Sequence, residues 1–289
     1  MLFYQQNNMD KIKLYFSLTK PRVIELLLIT SVPTLFYFSN EIPSINIIFG
    51  VLVGGFLGAG GANALNAAIE AETDKFMART KNRPTATGQI SQKNGAIFSF
   101  SLLVLSFIIM TLTVNVLSAA LILFAAFFYV VIYTIWLKPR TAQNIVIVGA
   151  AGAVPVLVAA AAINNSLNLE SWILFLIIFL WTPPHFWALA CHYIKDYRNA
   201  KFPMLPVTKG FDSSIFQSCL YAVLTSIACY AFVLVADINL VTTYLLSFIT
   251  TGFLISSLFY YLKKLKHMSY FHITNIFLTC FFLSLMISA

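Results

Sequence analysis

The sequence predicts an all-helical integral membrane protein, and two observations support that prediction. Of the 289 residues, 60% are hydrophobic and only 10% are charged, whereas a soluble domain carries roughly 25% charged residues. The apolar residues form nine stretches, each long enough for the roughly 20 residues that a helix needs to cross a bilayer. The composition therefore excludes a soluble domain of this length.

The nine predicted spans are centred near residues 31, 55, 104, 127, 153, 180, 225, 250 and 279. The fifth, NIVIVGAAGAVPVLVAAAAI, is rich in Gly and Ala, as is common where membrane helices approach one another closely. Four prolines lie within spans, where we expect kinks or partial unwinding: Pro33, Pro155, Pro183 and Pro184.

The charged residues divide the connecting segments into two faces. All 18 Lys and Arg residues lie in the N-terminal segment or in the loops 68–93, 137–143, 190–213 and 262–268. With nine spans these five segments share one face, which we call the basic face. The positive-inside rule places this face, and the N-terminus with it, in the cytoplasm. The net charge of +8 then follows from topology, and we expect no nucleic acid partner.

The first residues carry neither a signal-peptide pattern nor the Arg- and Ser-rich pattern of a mitochondrial presequence. This favours a multi-pass protein of the bacterial cytoplasmic membrane. A short motif also recurs, as LTKPR at 18–22 and LKPR at 137–140. Each copy precedes a span and is followed by two helices and an acidic loop. The pattern predicts two parallel half-repeats, about 18–90 and 137–210, with accessory helices in 211–289. The whole chain, 1–289, then forms a single membrane domain.

One stretch, NAAIEAETDKFMARTKNRPTATG at 66–88, concentrates charge directly after the second span. On a continuing helix Asn66, Glu70 and Asp74 share one face, because four residues advance roughly 400°. Glu72 points the opposite way. Side-chain oxygens in this arrangement suit Mg²⁺, which commonly takes one or two carboxylates together with substrate phosphates and water.

Three cations follow in the same loop: Arg79, Lys81 and Arg83. The carboxylates, a bound Mg²⁺ and the basic side chains together would form a site for a diphosphate at the mouth of an apolar cavity. The alternative is a solvated loop with ordinary ion pairs. We favour the site because Asn66 and Glu70 follow directly on an apolar span, where a charge costs up to about 3 kcal/mol.

The stretch NAAIEAETD resembles the first acidic motif of the intramembrane (UbiA-type) prenyltransferases. Its continuation, DKFMARTKNRP, is similar to the haem O synthase branch of that family, the protohaem farnesyltransferases. Further stretches agree: LTKPRV, YTIWLKPRTAQNIVIVGAAGAVP and TPPHFWALACHYIKDYRNAKFPMLPV. Together they cover the first two thirds of the chain. The sequence departs from the pattern at Glu70 and Glu72, where bacterial relatives usually carry Asp, and at Pro139, where they often carry a basic residue.

The resemblance implies a Mg²⁺-dependent enzyme that joins farnesyl diphosphate to a vinyl group of protohaem. Water is added in the same reaction, which gives haem O. Haem is then a substrate, not a cofactor. The resemblance further implies the lipid bilayer as surroundings, and a haem A synthase or a terminal oxidase assembly as the partner that receives the product.

The resemblance also extends the site beyond the first motif. It implies Asp196 as a second or shared ligand, so that the catalytic and metal-binding residues are Asn66, Glu70, Asp74 and Asp196. The implied diphosphate ligands are Arg79, Lys81, Arg83, Lys138 and Arg140. The implied haem-binding residues are Lys20, Arg22, His185 and His192. Simple anchoring at the membrane interface is the alternative for the basic residues at span entries, which are Lys20, Arg22, Lys138 and Arg140.

Two other interpretations stay open. Another UbiA-type enzyme would prenylate an aromatic acid or a quinone precursor, and it should show a second pair of Asp residues where this chain has Asp196 alone. A non-catalytic haem carrier or a transporter would share the half-repeats and kinked helices. A transporter should place acidic residues deep within its spans, where this sequence has only Glu25.

Overall fold

A computed structural model describes residues 11–39 and 41–288 of the chain. Within these residues, nine helices are long and apolar enough to cross a membrane, which confirms the predicted fold class. We number them α1 to α9: Pro21–Phe38, Ile45–Ile69, Gln92–Thr113, Val116–Leu137, Asn144–Asn164, Leu169–His192, Leu205–Val235, Leu240–Tyr261 and His267–Leu285. The N-terminus lies outside the described residues, so its cytoplasmic side stays a prediction, as does the division into half-repeats.

Several helices begin at a polar side chain that caps their free backbone N–H groups. The caps of α3, α4, α6 and α8 each accept a hydrogen bond from the backbone N–H three residues further on. They are Ser91, Asn115, Asn168 and Asn239. Such caps satisfy groups that would otherwise stay unpaired at a helix end.

Small residues allow the central helices to pack closely. In α5, Ala159 and Ala161 are fully buried, and α5 packs against α1, α4 and α6. At Gly149 an added Cβ would lie 3.0 Å from the backbone oxygen of Phe179 in α6. The Gly- and Ala-rich fifth span thus forms a close helix contact, as its composition predicts. On the other side of α6, α7 and α9 complete a large apolar core.

Departures from α-helical geometry occur in α2, α4 and α7. Residues Gly50–Gly54 and Phe128–Leu137 form π-helix, and Gly210 interrupts α7 with φ 79° and ψ 179°. By contrast, helical structure continues through the four prolines of α1, α5 and α6. The expected unwinding at proline is therefore not found there, and the π segment of α4 proves important for the site.

Gly61 provides a test of close packing between α2 and α3. A Cβ added there would lie 3.0 Å from the Ser99 carbonyl oxygen and 2.9 Å from Leu103 Cγ. Because a backbone atom cannot rotate away, we expect Gly61→Val to lower the free energy of unfolding by about 1–3 kcal/mol. Thermal unfolding in detergent measures the effect. Gly252→Val is the control, since nothing lies within 4 Å of its added Cβ; equal losses in both variants would contradict the packing argument.

Candidate active site

An elongated cavity of about 360 Å³ lies between α1, α2, α4 and α5. Its polar end faces the basic face of the bundle, where four cations and one carboxylate line it: Lys20, Arg79, Arg83, Lys138 and Glu70. Its walls further into the bundle are apolar and include Leu28, Val51, Ile122, Val154 and Val158. The cavity thus joins a charged mouth to a channel suited to a hydrocarbon chain.

Asn66 and Glu70 of the first acidic motif line the polar end, and Asp74 is linked to it through Arg83. The backbone N–H of Glu70 donates to the Asn66 carbonyl at 2.9 Å, and that of Asp74 donates to the Glu70 carbonyl at 2.8 Å. This helical continuity beyond α2 keeps the three side chains in register, and all three are buried. Glu72 lies on the exposed side and pairs with Lys75 at 2.7 Å. The local geometry predicted from the spacing is therefore present.

Each of the three motif side chains has its own cation, supplied by a different part of the chain. The partners are Lys20 for the Asn66 Oδ1 (2.7 Å), Lys138 for the Glu70 carboxylate, and Arg83 for the Asp74 Oδ2 (2.6 Å). Two of these cations come from the recurring KPR motifs. Both copies of that motif thus direct their lysine to the first acidic motif.

The π segment of α4 positions Lys138. Its backbone N–H donates to the Tyr133 carbonyl, five residues earlier, at 2.8 Å. The ammonium lies 4.4 Å from the centre of the Phe202 ring. One residue after Tyr133, the Thr134 hydroxyl accepts a hydrogen bond from the Asn66 amide at 3.0 Å. A π-helix places such residues at functional positions that a regular α-helix would rotate away.

Three tyrosines at the polar end were not among the predicted site residues: Tyr129, Tyr133 and Tyr197. The rings of Tyr129 and Tyr133 stack with their centres 5.7 Å apart. Their four-residue spacing before LKPR was visible in the sequence, but it is equally typical of an ordinary core face. Only their position on the cavity lining shows that they belong to the site and not to an ordinary core face.

Burial and positive charge shift the ionisation of the polar end. Burial alone raises the pKa of Glu70, but the ammonium of Lys138, reinforced by other cations, brings that pKa below its ordinary value. Burial, followed by repulsion from Arg83, lowers the pKa of Lys20 well below the usual lysine range. With four cations and one carboxylate on its lining, the polar end favours an anionic ligand.

Asp196 lies in a second loop that meets the first. Its Oδ2 accepts a hydrogen bond from the backbone N–H of Arg79 at 3.3 Å, and the Arg79 guanidinium lies 5.9 Å from the centre of the Tyr193 ring. Met77 is buried in the same apolar cluster as Trp187. Asp196 thus holds the two loops together, but it does not share one ligand cluster with the other predicted metal ligands.

Seven predicted residues are not on the lining of the cavity: Arg22, Asp74, Lys81, Arg140, His185, His192 and Asp196. Arg22, Lys81 and His192 are exposed. The Arg140 guanidinium donates to the carbonyls of Ile135 and Trp136 at 2.9 and 2.8 Å, so it caps the end of α4. The structure therefore does not support the predicted diphosphate role of Lys81 and Arg140.

His185 is held on the far side of α6 from the cavity. Its ring stacks between Trp181 and Phe271, with centres 4.3 and 4.4 Å apart. Its Nδ1 lies 2.9 Å from Thr274 Oγ1, whose hydroxyl already donates to the Phe271 carbonyl. His185 is thus a hydrogen-bonded interhelical residue that does not reach the cavity lining, and its haem contact stays a prediction.

The oxygen donors fit Mg²⁺ only together with a ligand. Among the described residues, no three His, Cys, Asp or Glu side chains come close enough to hold a metal ion by themselves. Asn66, Glu70 and Asp74 instead match the usual mode of Mg²⁺, in which one or two carboxylates act together with substrate phosphates. Asp196, implied by the resemblance as a second or shared ligand, lies in the neighbouring loop, and its metal role stays a prediction.

Breaking the Lys138–Glu70 ion pair should lower the free energy of unfolding by a large amount. The two side chains are 10% and 7% exposed, and removal of one partner of a buried pair costs about 3–5 kcal/mol. We expect a loss of this size for Lys138→Met and partial recovery in Lys138→Met combined with Glu70→Gln. Unfolding in detergent measures both. The control is Lys75→Met, whose exposed pair contributes about 0–1 kcal/mol; a similar loss in the two single variants would refute the assignment.

The lowered pKa of Glu70 predicts a pH dependence of stability. Above 4.5, the ordinary value of the carboxyl, the group is ionised in folded and unfolded chains and its full contribution is present. As the pH falls through the lower folded value, the carboxylate is protonated and the contribution is lost. We expect the free energy of unfolding to decrease more steeply below pH 4.5 in the unmodified protein than in Glu70→Gln. Parallel curves would contradict this.

One family model and several known proteins match this chain over most of its length. The family model of the UbiA prenyltransferase family matches residues 27–286. A protoheme IX farnesyltransferase of Pseudarthrobacter chlorophenolicus is 52% identical over 212 residues, which cover 73% of this chain and 66% of the relative. One of Clavibacter michiganensis is 45% identical over 233 residues, with 81% and 76% covered. The chain therefore spans about two thirds to three quarters of the length of these relatives.

Solved structures show the same fold at low identity. A digeranylgeranylglyceryl phosphate synthase is 18% identical with a TM-score of 0.79, and the match covers 96% of this chain and 98% of that one. A UbiA homolog from Archaeoglobus fulgidus, bound to DMAPP and Mg²⁺, is 14% identical with a TM-score of 0.71, and 94% and 98% are covered. The arrangement of the nine helices is thus shared with both proteins.

Proposed function

The chain belongs to the UbiA prenyltransferase family, and on that premise we propose that it transfers a farnesyl group from farnesyl diphosphate to a vinyl group of protohaem. The observation that carries this proposal is the convergence of the buried Glu70 carboxylate and four cations at one end of an apolar cavity. The names of the relatives that are 45–52% identical support protohaem as the acceptor.

The polar end binds the diphosphate. Lys20, Arg79, Arg83 and Lys138 line it, and their charges offset those of the diphosphate oxygens. Binding draws some of these cations away from the carboxylates that they now neutralise. Asn66, Glu70 and Asp74 would hold Mg²⁺, which would neutralise further charge on the leaving diphosphate. The residues that form ion pairs in the ligand-free protein are thus the ones that bind the leaving diphosphate.

The proposed reaction begins at C1 of the farnesyl group. The bond between farnesyl C1 and the diphosphate oxygen breaks with its electron pair on the oxygen. The vinyl group then forms a new carbon–carbon bond to C1 with its π electrons, which leaves a cation on the carbon beside the porphyrin ring. Addition of water to that carbon, with loss of a proton, gives the hydroxyethylfarnesyl side chain. The products are the modified haem, diphosphate and a proton.

The tyrosines and the apolar walls protect the reacting carbons. Tyr129, Tyr133 and Tyr197 line the polar end beside the cations, and the face of an aromatic ring attracts positive charge. In the proposed reaction they lie beside the allylic cation. The apolar walls exclude bulk water, which would otherwise hydrolyse the farnesyl donor.

The site lies on the basic face, and the positive-inside rule supports a cytoplasmic position for it in a bacterial inner membrane. Both proposed substrates suit this location, since one is an anionic diphosphate and the other carries two propionates. The hand-off of product to a haem A synthase or an oxidase assembly stays a prediction from the resemblance.

Asp74→Asn tests the role of the first motif. We expect at least about a 100-fold loss of turnover, the usual effect of removing one group that stabilises transition-state charge, while haem binding persists. Purified protein is incubated with protohaem, farnesyl diphosphate and Mg²⁺, and the extracted haem is analysed by mass spectrometry for a gain of farnesyl plus water. Addition of a chelator should abolish that gain.

Glu72→Gln is the matched control, because Glu72 is exposed and faces away from the cavity two residues before Asp74. It should retain full turnover. Undiminished turnover in Asp74→Asn would overturn the role of this carboxylate. If the unmodified protein prenylates an added aromatic acid instead of protohaem, the proposed acceptor is wrong. If it prenylates neither, the enzymatic proposal fails.

A further inference from the structure

Two glycines in the walls of the cavity face open space. A Cβ added at Gly152 of α5 would have nothing within 4 Å, and one added at Gly55 of α2 would meet only Leu28 Cδ2, at 3.9 Å. Both glycines line the cavity. Gly58, also on the lining, is different, since its added Cβ would lie 2.3 Å from Ile122 Cγ2. Gly58 therefore permits helix packing, whereas Gly55 and Gly152 leave part of the cavity empty.

The two open glycines lie at a similar depth. Gly152 is eight residues into α5, or about 12 Å from its start on the basic face at a rise of 1.5 Å per residue. Gly55 is eleven residues from Asn66 along α2, or about 16 Å by the same rise. Leu28, which faces Gly55, is about 12 Å from Lys20 along α1. The glycines thus border the cavity about 12–16 Å along their helices from its basic-face end.

This depth matches the third isoprenoid unit of a prenyl chain. An extended polypeptide advances about 1.2 Å per main-chain bond. At that advance, an isoprenoid unit of four main-chain bonds spans about 5 Å. With its diphosphate at the polar end, a ten-carbon chain ends before the two glycines. A fifteen-carbon chain places its last unit between them.

We infer that Gly55 and Gly152 form a passage that admits the third isoprenoid unit and so selects a fifteen-carbon donor over a ten-carbon one. The inference rests on the proposed function, because it takes the diphosphate to bind at the polar end. A Cβ at Gly152 would meet no atom within 4 Å, and one at Gly55 would meet only Leu28 Cδ2, at ordinary van der Waals distance. The passage is therefore open because these two side chains are absent, and a larger side chain there would occupy the cavity.

The test compares Gly152→Leu and Gly55→Leu with the unmodified protein. The probes are the thiodiphosphate analogues of geranyl and farnesyl diphosphate, whose C–S bond resists cleavage, so that binding is measured without reaction. We expect the unmodified protein to bind the fifteen-carbon analogue at least about tenfold more tightly, because each further buried CH₂ group strengthens binding. In both variants this preference should disappear through weaker binding of the longer analogue, while the shorter analogue binds within about threefold of its original affinity.

Gly252→Leu is the matched control, since its added Cβ also has nothing within 4 Å, but it lies on α8, away from the cavity lining. It should keep the preference for the longer analogue. The inference is overturned if both cavity variants keep that preference, or if they lose affinity for the two analogues equally. It is also overturned if the unmodified protein binds neither analogue.

A transfer assay with protohaem and both natural donors separates this inference from the proposed function. If the unmodified protein prefers the longer analogue and the cavity variants do not, the passage is established even when no haem product forms. In that case only the proposed acceptor is wrong. If haem is farnesylated, the two variants should no longer transfer the fifteen-carbon group in preference to the ten-carbon one.

Discussion

The site depends on the compensation of carboxylates that are buried at the edge of an apolar bundle. A buried carboxylate without a partner would be strongly destabilising or would take up a proton. Glu70 and Asp74 therefore each need a cation, and these cations come from different parts of the chain: Lys138 at the end of α4 and Arg83 from the loop after α2. The demand for charge compensation thus brings α1, α2, α4 and the 71–90 loop to one point.

The same arrangement is poised for an anionic ligand. Four cations line the polar end and only one carboxylate does, so positive charge is in excess. The lowered pKa of Lys20 has burial as its main cause and repulsion from Arg83 as its second, and an incoming diphosphate would relieve that repulsion. Under the proposed function, the cations exchange one set of anionic partners for another. The stability of the ligand-free protein and the binding of its substrate are then linked through the same ion pairs.

The apolar part of the cavity has a different origin. It exists because small residues keep the helices close in some places and leave space in others. Gly58 and Gly61 permit helix contacts, whereas Gly55 and Gly152 contribute empty volume. The two kinds of glycine look alike in the sequence, since all four occur in apolar, Ala-rich stretches. Their roles differ only through what lies opposite them in the folded bundle.

The sequence by itself determined the nine spans, the basic face and the helical register of Asn66, Glu70 and Asp74, because these follow from local composition and from the 3.6-residue period. Tertiary structure decided which cation meets which carboxylate. It brought three tyrosines to the cavity, turned Arg140 onto its own helix and placed His185 between two aromatic rings. The π segment of α4 was likewise decided there. The physical reason is that these features depend on contacts between residues far apart in the chain, and the spacing of residues within one helix carries no information about them.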